Sequence, residues 1–104
     1  MAQQSTTTSY AVVREQGERW NPSLPMRQQE QWEAHAAFMD TLADEGFVVL
    51  GGPLWGGDRH KALLIVAADS VQAIEDRLAA DPWTTLRILR TAAIERWEIL
   101  LGTL

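Results

Sequence analysis

The chain has no cysteine. That excludes disulfides, thiolate nucleophiles and cysteine-ligated metal centres, and it fits a reducing compartment. It has no run of lysine or arginine either. Among its 104 residues acidic side chains outnumber basic ones by 14 to 9, for a formal net charge of −5. A surface that tracks nucleic-acid phosphates, or one that clings to an anionic membrane, needs the opposite balance. No apolar run reaches spanning length, and no charged segment followed by an apolar one opens the chain. A soluble, cytoplasmic protein without nucleic-acid or membrane partners is therefore expected.

Several catalytic signatures are also missing. No serine sits in a nucleophile elbow, and no GxGxxG opens a helix. Gly51-Gly52-Pro53 lacks the spacing and the lysine of a phosphate loop. It reads as a sharp strand end or as a place where backbone approaches a ligand. His35 and His60 form no HxxxH pair and have no third ligand nearby in sequence, so no metal and no cofactor are expected. His60 falls in a turn and is expected to be exposed.

What is present is a globular composition, 46% hydrophobic, at the size of one domain. Five tryptophans stand against two phenylalanines and one tyrosine, and tryptophan is favoured in pocket walls and interfaces. Met1 to Ser9 is polar and aperiodic and reads as a loose tail, leaving residues 10–104 as the domain. Tyr10 to Val13 reads as a first strand, and Arg14 to Pro25, broken by Gly17, Pro22 and Pro25, as a loop. Trp20 in that loop should fold back over something. Gln28 to Gly46 reads as a helix whose apolar stripe runs Trp32, His35, Met39, Leu42, with Gly46 as a left-handed terminator. Phe47 to Leu50 and Lys61 to Ala67 read as strands joined by a glycine-rich hairpin. Asp69 and Gln72 are spaced as a capping-box variant before a second helix, Ser70 to Ala80, which Asp81-Pro82 ends. Thr84 to Arg90 is ambiguous. Ala92 to Leu101 reads as the last strand, with Trp97, Ile99 and Leu101 facing one way.

The order β-α-β-β-α-β predicts an α+β, ferredoxin-like sandwich: a four-stranded antiparallel sheet with two helices on one face. Leu63 to Val66 is apolar on both faces of its strand, and two helices cover only one of them. A second copy packed sheet to sheet, a homodimer, is the expected cover; the alternative is a half-exposed face.

Four segments in this order resemble the YCII-related (YciI-like) family of small dimeric α+β-barrel proteins. They are EAHAAFMDTLADEG around His35, GFVVLGGPL from Gly46 to Leu54, LAADPW from Leu78 to Trp83, and a closing strand with Trp97. The resemblance runs from Tyr10 to Gly102. One departure is Arg96, where the family often carries proline. The resemblance implies the dimeric α+β-barrel fold and a suspected histidine–aspartate site. Some such relatives are linked to dechlorination of hydroxylated aromatics, and related barrels include lactone isomerases and cofactor-free oxygenases.

His35 is the leading candidate for chemistry, since an imidazole moves protons in either direction near neutral pH. Asp44, nine residues on, lies about 900° round the helix and so roughly opposite; Asp40 lies about 140° away. An orienting carboxylate must come from another element, and Asp81 in LAADPW is the choice, with a helix-end cap as its alternative role. Trp32, Gly52, Pro53, Trp83 and Arg14 complete a candidate substrate-binding set. Trp20, Trp32, Trp55 and Trp83 either wall an aromatic pocket or serve core and interface. Arg14 either meets an anionic substrate group or is a solvated end-of-strand arginine. Two functions follow. One is a cofactor-independent enzyme with a His35–Asp81 acid/base pair acting on a small aromatic or lactone-like substrate. The other is a non-catalytic dimeric module that binds a small ligand or a protein.

Overall fold

The computed structural model describes residues 8–102. Strand β1 is Thr8–Gln16, helix α1 Trp32–Asp44, β2 Val48–Leu54, β3 Lys61–Ala68, α2 Val71–Ala79, α3 Pro82–Thr85 and β4 Leu89–Arg96. A single 3-10 turn, Met26–Gln28, precedes α1. The four strands form one antiparallel sheet in the order β2-β3-β1-β4. This is the expected α+β sandwich, with one short helix, α3, added. No helix among the described residues is long and apolar enough to cross a membrane.

The core follows from strand alternation. Tyr10, Val12 and Arg14 of β1 share one face. Tyr10 pairs with Val66 and Val12 with Leu64. On that face the buried cluster takes in Leu42 from α1 and Ile74 and Leu78 from α2. Leu63 and Ile65 of β3 project from the other face, as does Leu50 of β2, which pairs with Ile65 and is 53% exposed.

The element ends differ from expectation for local reasons. Residues 1–7 of the expected tail lie outside the described residues, while Thr8 and Ser9 already belong to β1. Helix α1 starts at Trp32 because Gln31 is left-handed (φ 60) and Gln29 is extended. The Gln29 side chain is buried, accepting from Asn21 N–H and donating to the Asn21 and Leu24 carbonyls, which ties the preceding loop to the helix. Gly46 does end the segment in the left-handed region (φ 82). Ser70, not Asp69, caps α2: its hydroxyl accepts from Ala73 N–H at 3.1 Å. Asp81-Pro82 ends α2 and also begins α3, with proline at a first-turn position that needs no N–H donor. The ambiguous Thr84–Arg90 stretch resolves into the end of α3, a left-handed Arg87 (φ 61) and the start of β4. Gly17 lets β1 run on against this connection; a Cβ there would lie 2.2 Å from the Arg87 carbonyl oxygen.

Strand β4 ends at Arg96, five residues short of expectation. Alternation alone does not make a strand; a partner must supply the ladder. The last bond to β1 among the described residues is Trp97 N–H to the Ser9 carbonyl at 2.9 Å. Leu100 and Leu101 lie beyond it, exposed. Arg96 itself pairs with Tyr10, so this departure from the family pattern keeps a ladder position.

Candidate active site

Arg14 lies where the register of β1 against β4 shifts, between Val13 and Arg14. It sits on the helix-covered face and is 1% exposed, so a solvated end-of-strand arginine is corrected to a buried one. The first strand continues three residues past the predicted Val13, and that continuation carries the side chain inward. Its Nη1 donates to Asp81 Oδ2 at 3.1 Å and its Nη2 to the Thr84 hydroxyl at 2.7 Å. Its Nε is buried without a partner among the described residues, which costs desolvation free energy that the two other bonds must offset.

Asp81, 0% exposed, is both cap and partner. Its Oδ1 accepts from Trp83 N–H at 2.9 Å, starting α3. Its two oxygens lie 2.9 and 3.0 Å from His35 Nδ1. Burial pushes the Asp81 carboxyl upward, but the His35 hydrogen bond and charge, the Trp83 N–H and the Arg14 guanidinium outweigh it, and the pKa falls below the ordinary aspartate value. An ionised carboxylate only accepts, so His35 Nδ1 carries a proton. Whenever the ring is uncharged Nε2 is then the nitrogen with a lone pair, and no hydrogen bond among the described residues engages it. Desolvation lowers the pKa of Arg14, against the opposing pull of Asp81.

The ring plane of His35 is fixed as well. It stacks on Trp83 with centroids 3.9 Å apart and planes 5° from parallel. Trp83 is fully buried, and its indole N–H donates to the Glu30 carbonyl at 2.6 Å. Trp32 leans on both rings, at 5.9 Å from His35 and 5.7 Å from Trp83. Behind Trp83 stands Trp20, edge-on at 5.9 Å. Trp20 thus does fold back, whereas Trp55 at the hairpin tip is 78% exposed and takes no part.

These groups border a cavity of about 460 Å³, within the size range of small-molecule sites. Arg14, Trp32, His35, Gly52, Pro53 and Trp83 all line it. Asp81 does not; it lies behind His35. His60, expected to be exposed, is a lining residue instead, because its ring lies flat on Trp20. Nothing in the local sequence marks His60: the Gln16 bonds that hold it span 44 positions. Met26, Arg27, Met39 and Asp40 are among the other lining side chains that sequence reasoning missed. A larger groove of about 900 Å³ runs past Glu18, Arg87 and Arg90. Of its three arginines Arg87 pairs with Glu18, Arg90 with Glu15, and Arg59 donates to the Gln16 carbonyl, and it contains neither His35 nor Asp81. No group of three or more His, Asp or Glu residues able to hold a metal ion occurs among the described residues.

Among solved structures the chain is similar to the 5-chloro-2-hydroxyhydroquinone dehydrochlorinase of Burkholderia phenoliruptrix AC1100, in complex with 2,5-dihydroxybenzoquinone. Identity is 23%, the TM-score is 0.64, and the match covers 86% of this chain and 93% of that one. At this identity the likeness establishes the fold. No curated protein matches the chain. The sequence profile of the YCII-related domain matches residues 8–98, nearly the whole chain, and the protein belongs to that family.

Proposed function

We propose that the protein is a cofactor-independent acid/base enzyme for a small, flat, oxygenated substrate. One observation carries this reading: a histidine lining a cavity, its Nδ1 fixed by a buried carboxylate and its Nε2 unengaged. Nε2 takes a proton from a substrate C–H or O–H, or from water. The electron pair stays on the substrate and either moves into conjugation or expels a leaving group with its bonding electrons. The proton then returns at another position, for an isomerisation, or passes to solvent, for an elimination. Asp81 stays ionised and stabilises the imidazolium formed on His35. Trp32 offers a ring face to an aromatic or lactone-like substrate, while the buried Trp83 holds the His35 ring in place. No oxidation state changes, so no electron carrier is required.

The dehydrochlorinase of similar fold suggests the first compounds to try. Chlorinated hydroxyhydroquinones and unsaturated lactones are incubated with the full chain in D2O with a chelator present. Chloride release, or loss of a substrate C–H signal, well above the buffer rate is the expected result. Binding in the cavity without exchange or turnover across the panel would favour the non-catalytic ligand-binding module.

The same reading includes a homodimer. Its support is the uncovered face of the sheet, where Leu50, Leu63 and Ile65 lie together while the helices occupy the other face. Sedimentation should give a two-chain mass for the wild type and a one-chain mass for Leu63→Lys. A wild-type mass of one chain at micromolar concentration would remove the dimer.

A further inference from the structure

His60 shares the cavity with His35, and the proton-transfer scheme above leaves it unused. It precedes β3 directly, and its backbone is clamped to the end of β1. The His60 N–H donates to the Gln16 side-chain oxygen at 2.8 Å, and its carbonyl accepts from Gln16 N–H at 2.9 Å. The ring lies on Trp20, with centroids 4.3 Å apart and planes 10° from parallel. Trp20 meets Trp83 edge-on, and Trp83 carries His35 on its face. Two imidazoles are therefore mounted on one aromatic frame and border one cavity.

No hydrogen bond among the described residues engages either ring nitrogen of His60. Half-buried polar atoms in a folded protein ordinarily find partners, and those facing a cavity find them in water or ligand. Other polar lining groups are less suited to donate to a ligand. Both Nη groups of Arg14 are committed, to Asp81 and Thr84, and its unpartnered Nε is sealed from solvent. Arg27 lies over the Trp32 ring at 5.7 Å, and Asp40 when ionised only accepts. Burial, and then the charge of His35, lower the pKa of His60. Burial thus favours its neutral form, with one N–H to give and one bare nitrogen. A neutral imidazole N–H can hold a carbonyl or phenolate oxygen without surrendering its proton.

We infer that His60 is a second substrate-contacting residue of this cavity, donating a hydrogen bond to a substrate oxygen across the ring from the proton that His35 takes. The ligand class that satisfies both imidazoles is a flat ring carrying oxygen at opposite ends. The catalytic part of this inference rests on the acid/base reading of His35; the binding part does not.

The test uses hydroquinone, with oxygen at both para positions, and phenol, with one. Dissociation constants are measured by NMR titration of the full chain. Wild type is expected to bind hydroquinone about tenfold more tightly than phenol, the worth of one well-placed hydrogen bond. His60→Phe keeps a flat ring on Trp20 but has no N–H, and it should bind the two alike, with phenol affinity unchanged. His60→Gln restores a donor and should recover part of the preference. In the wild type the ring nitrogens of His60 should shift on adding hydroquinone and stay still with phenol, a readout that holds even if a variant folds poorly. A hydroquinone preference that survives in His60→Phe, or a wild type that binds neither ring or fails to distinguish them, overturns the inference. Absent proton exchange with the preference intact would instead sink the acid/base reading and leave His60 as a ligand contact.

Discussion

Asp81→Ala is expected to destabilise the fold by about 3–5 kcal/mol, the cost of removing one partner from a buried charged pair. The carboxylate is fully buried and holds three elements together: Arg14 of β1, His35 of α1 and the first turn of α3. Its removal strands the Arg14 guanidinium, whose Nε already lacks a partner among the described residues. It also deletes an N-cap, a further loss of about 1 kcal/mol. Urea denaturation at neutral pH checks this, and a change under 1 kcal/mol would mean that Asp81 is not the tie it looks to be. The effect carries a pH signature. Asp81 has a folded-state pKa below its ordinary value, because the hydrogen bonds and charges around it outweigh burial. The folded state thus binds this proton less tightly than the unfolded chain. Its contribution is complete above the unfolded aspartate pKa of about 4 and disappears as pH falls through the depressed folded value. Wild-type stability should therefore decline on the acid side, and Asp81→Asn should remove that part of the decline.

His35→Gln is expected to lower turnover of whichever substrate the exchange panel identifies by about 10²–10⁴-fold, the usual contribution of a positioned acid/base group. Glutamine can still hydrogen-bond Asp81, so the buried carboxylate keeps a partner and the fold should survive. The loss should fall on kcat with little change in KM, since proton transfer is made in the transition state and not on binding. Residues that act as a unit are not additive, so His35→Gln combined with Asp81→Asn should be no slower than His35→Gln alone. A loss confined to KM would make His35 a binding group.

Much of the frame was legible because it rests on short-range pattern. The stripe of Trp32, His35, Met39 and Leu42 has helical spacing, and β3 is a β-rich apolar run whose two faces differ only once β1 and β2 are paired beside it. Helix geometry turns Asp40 and Asp44 away from His35, and the sequence leaves Asp81 open to two roles, cap and partner. In the structure it accepts from both Trp83 N–H and His35, so the two roles coexist on one carboxylate. What stayed hidden depends on long-range pairing. Arg14 read as loop because nothing local announces that β1 continues to Gln16. A helix of four residues, α3, is shorter than any period that could reveal it. Residues 98–101 alternate like a strand yet lie past the last bond to β1 among the described residues. His60 enters the cavity through Trp20 and Gln16, neither of which is near it in sequence.

The most direct test of the site is the protonation state of the two His35 ring nitrogens, read by 15N NMR of the wild type and of Asp81→Asn at a pH where the ring is neutral. The bond to a buried carboxylate requires the Nδ1–H tautomer in the wild type, with Nε2 bare and able to accept a proton. An asparagine amide can donate to Nδ1 and so permits the opposite tautomer, the consequence expected in Asp81→Asn. Nδ1–H in the wild type giving way to Nε2–H in the variant is the predicted result. Nε2–H in the wild type, or a tautomer indifferent to Asp81, would contradict the paired histidine and with it the acid/base function.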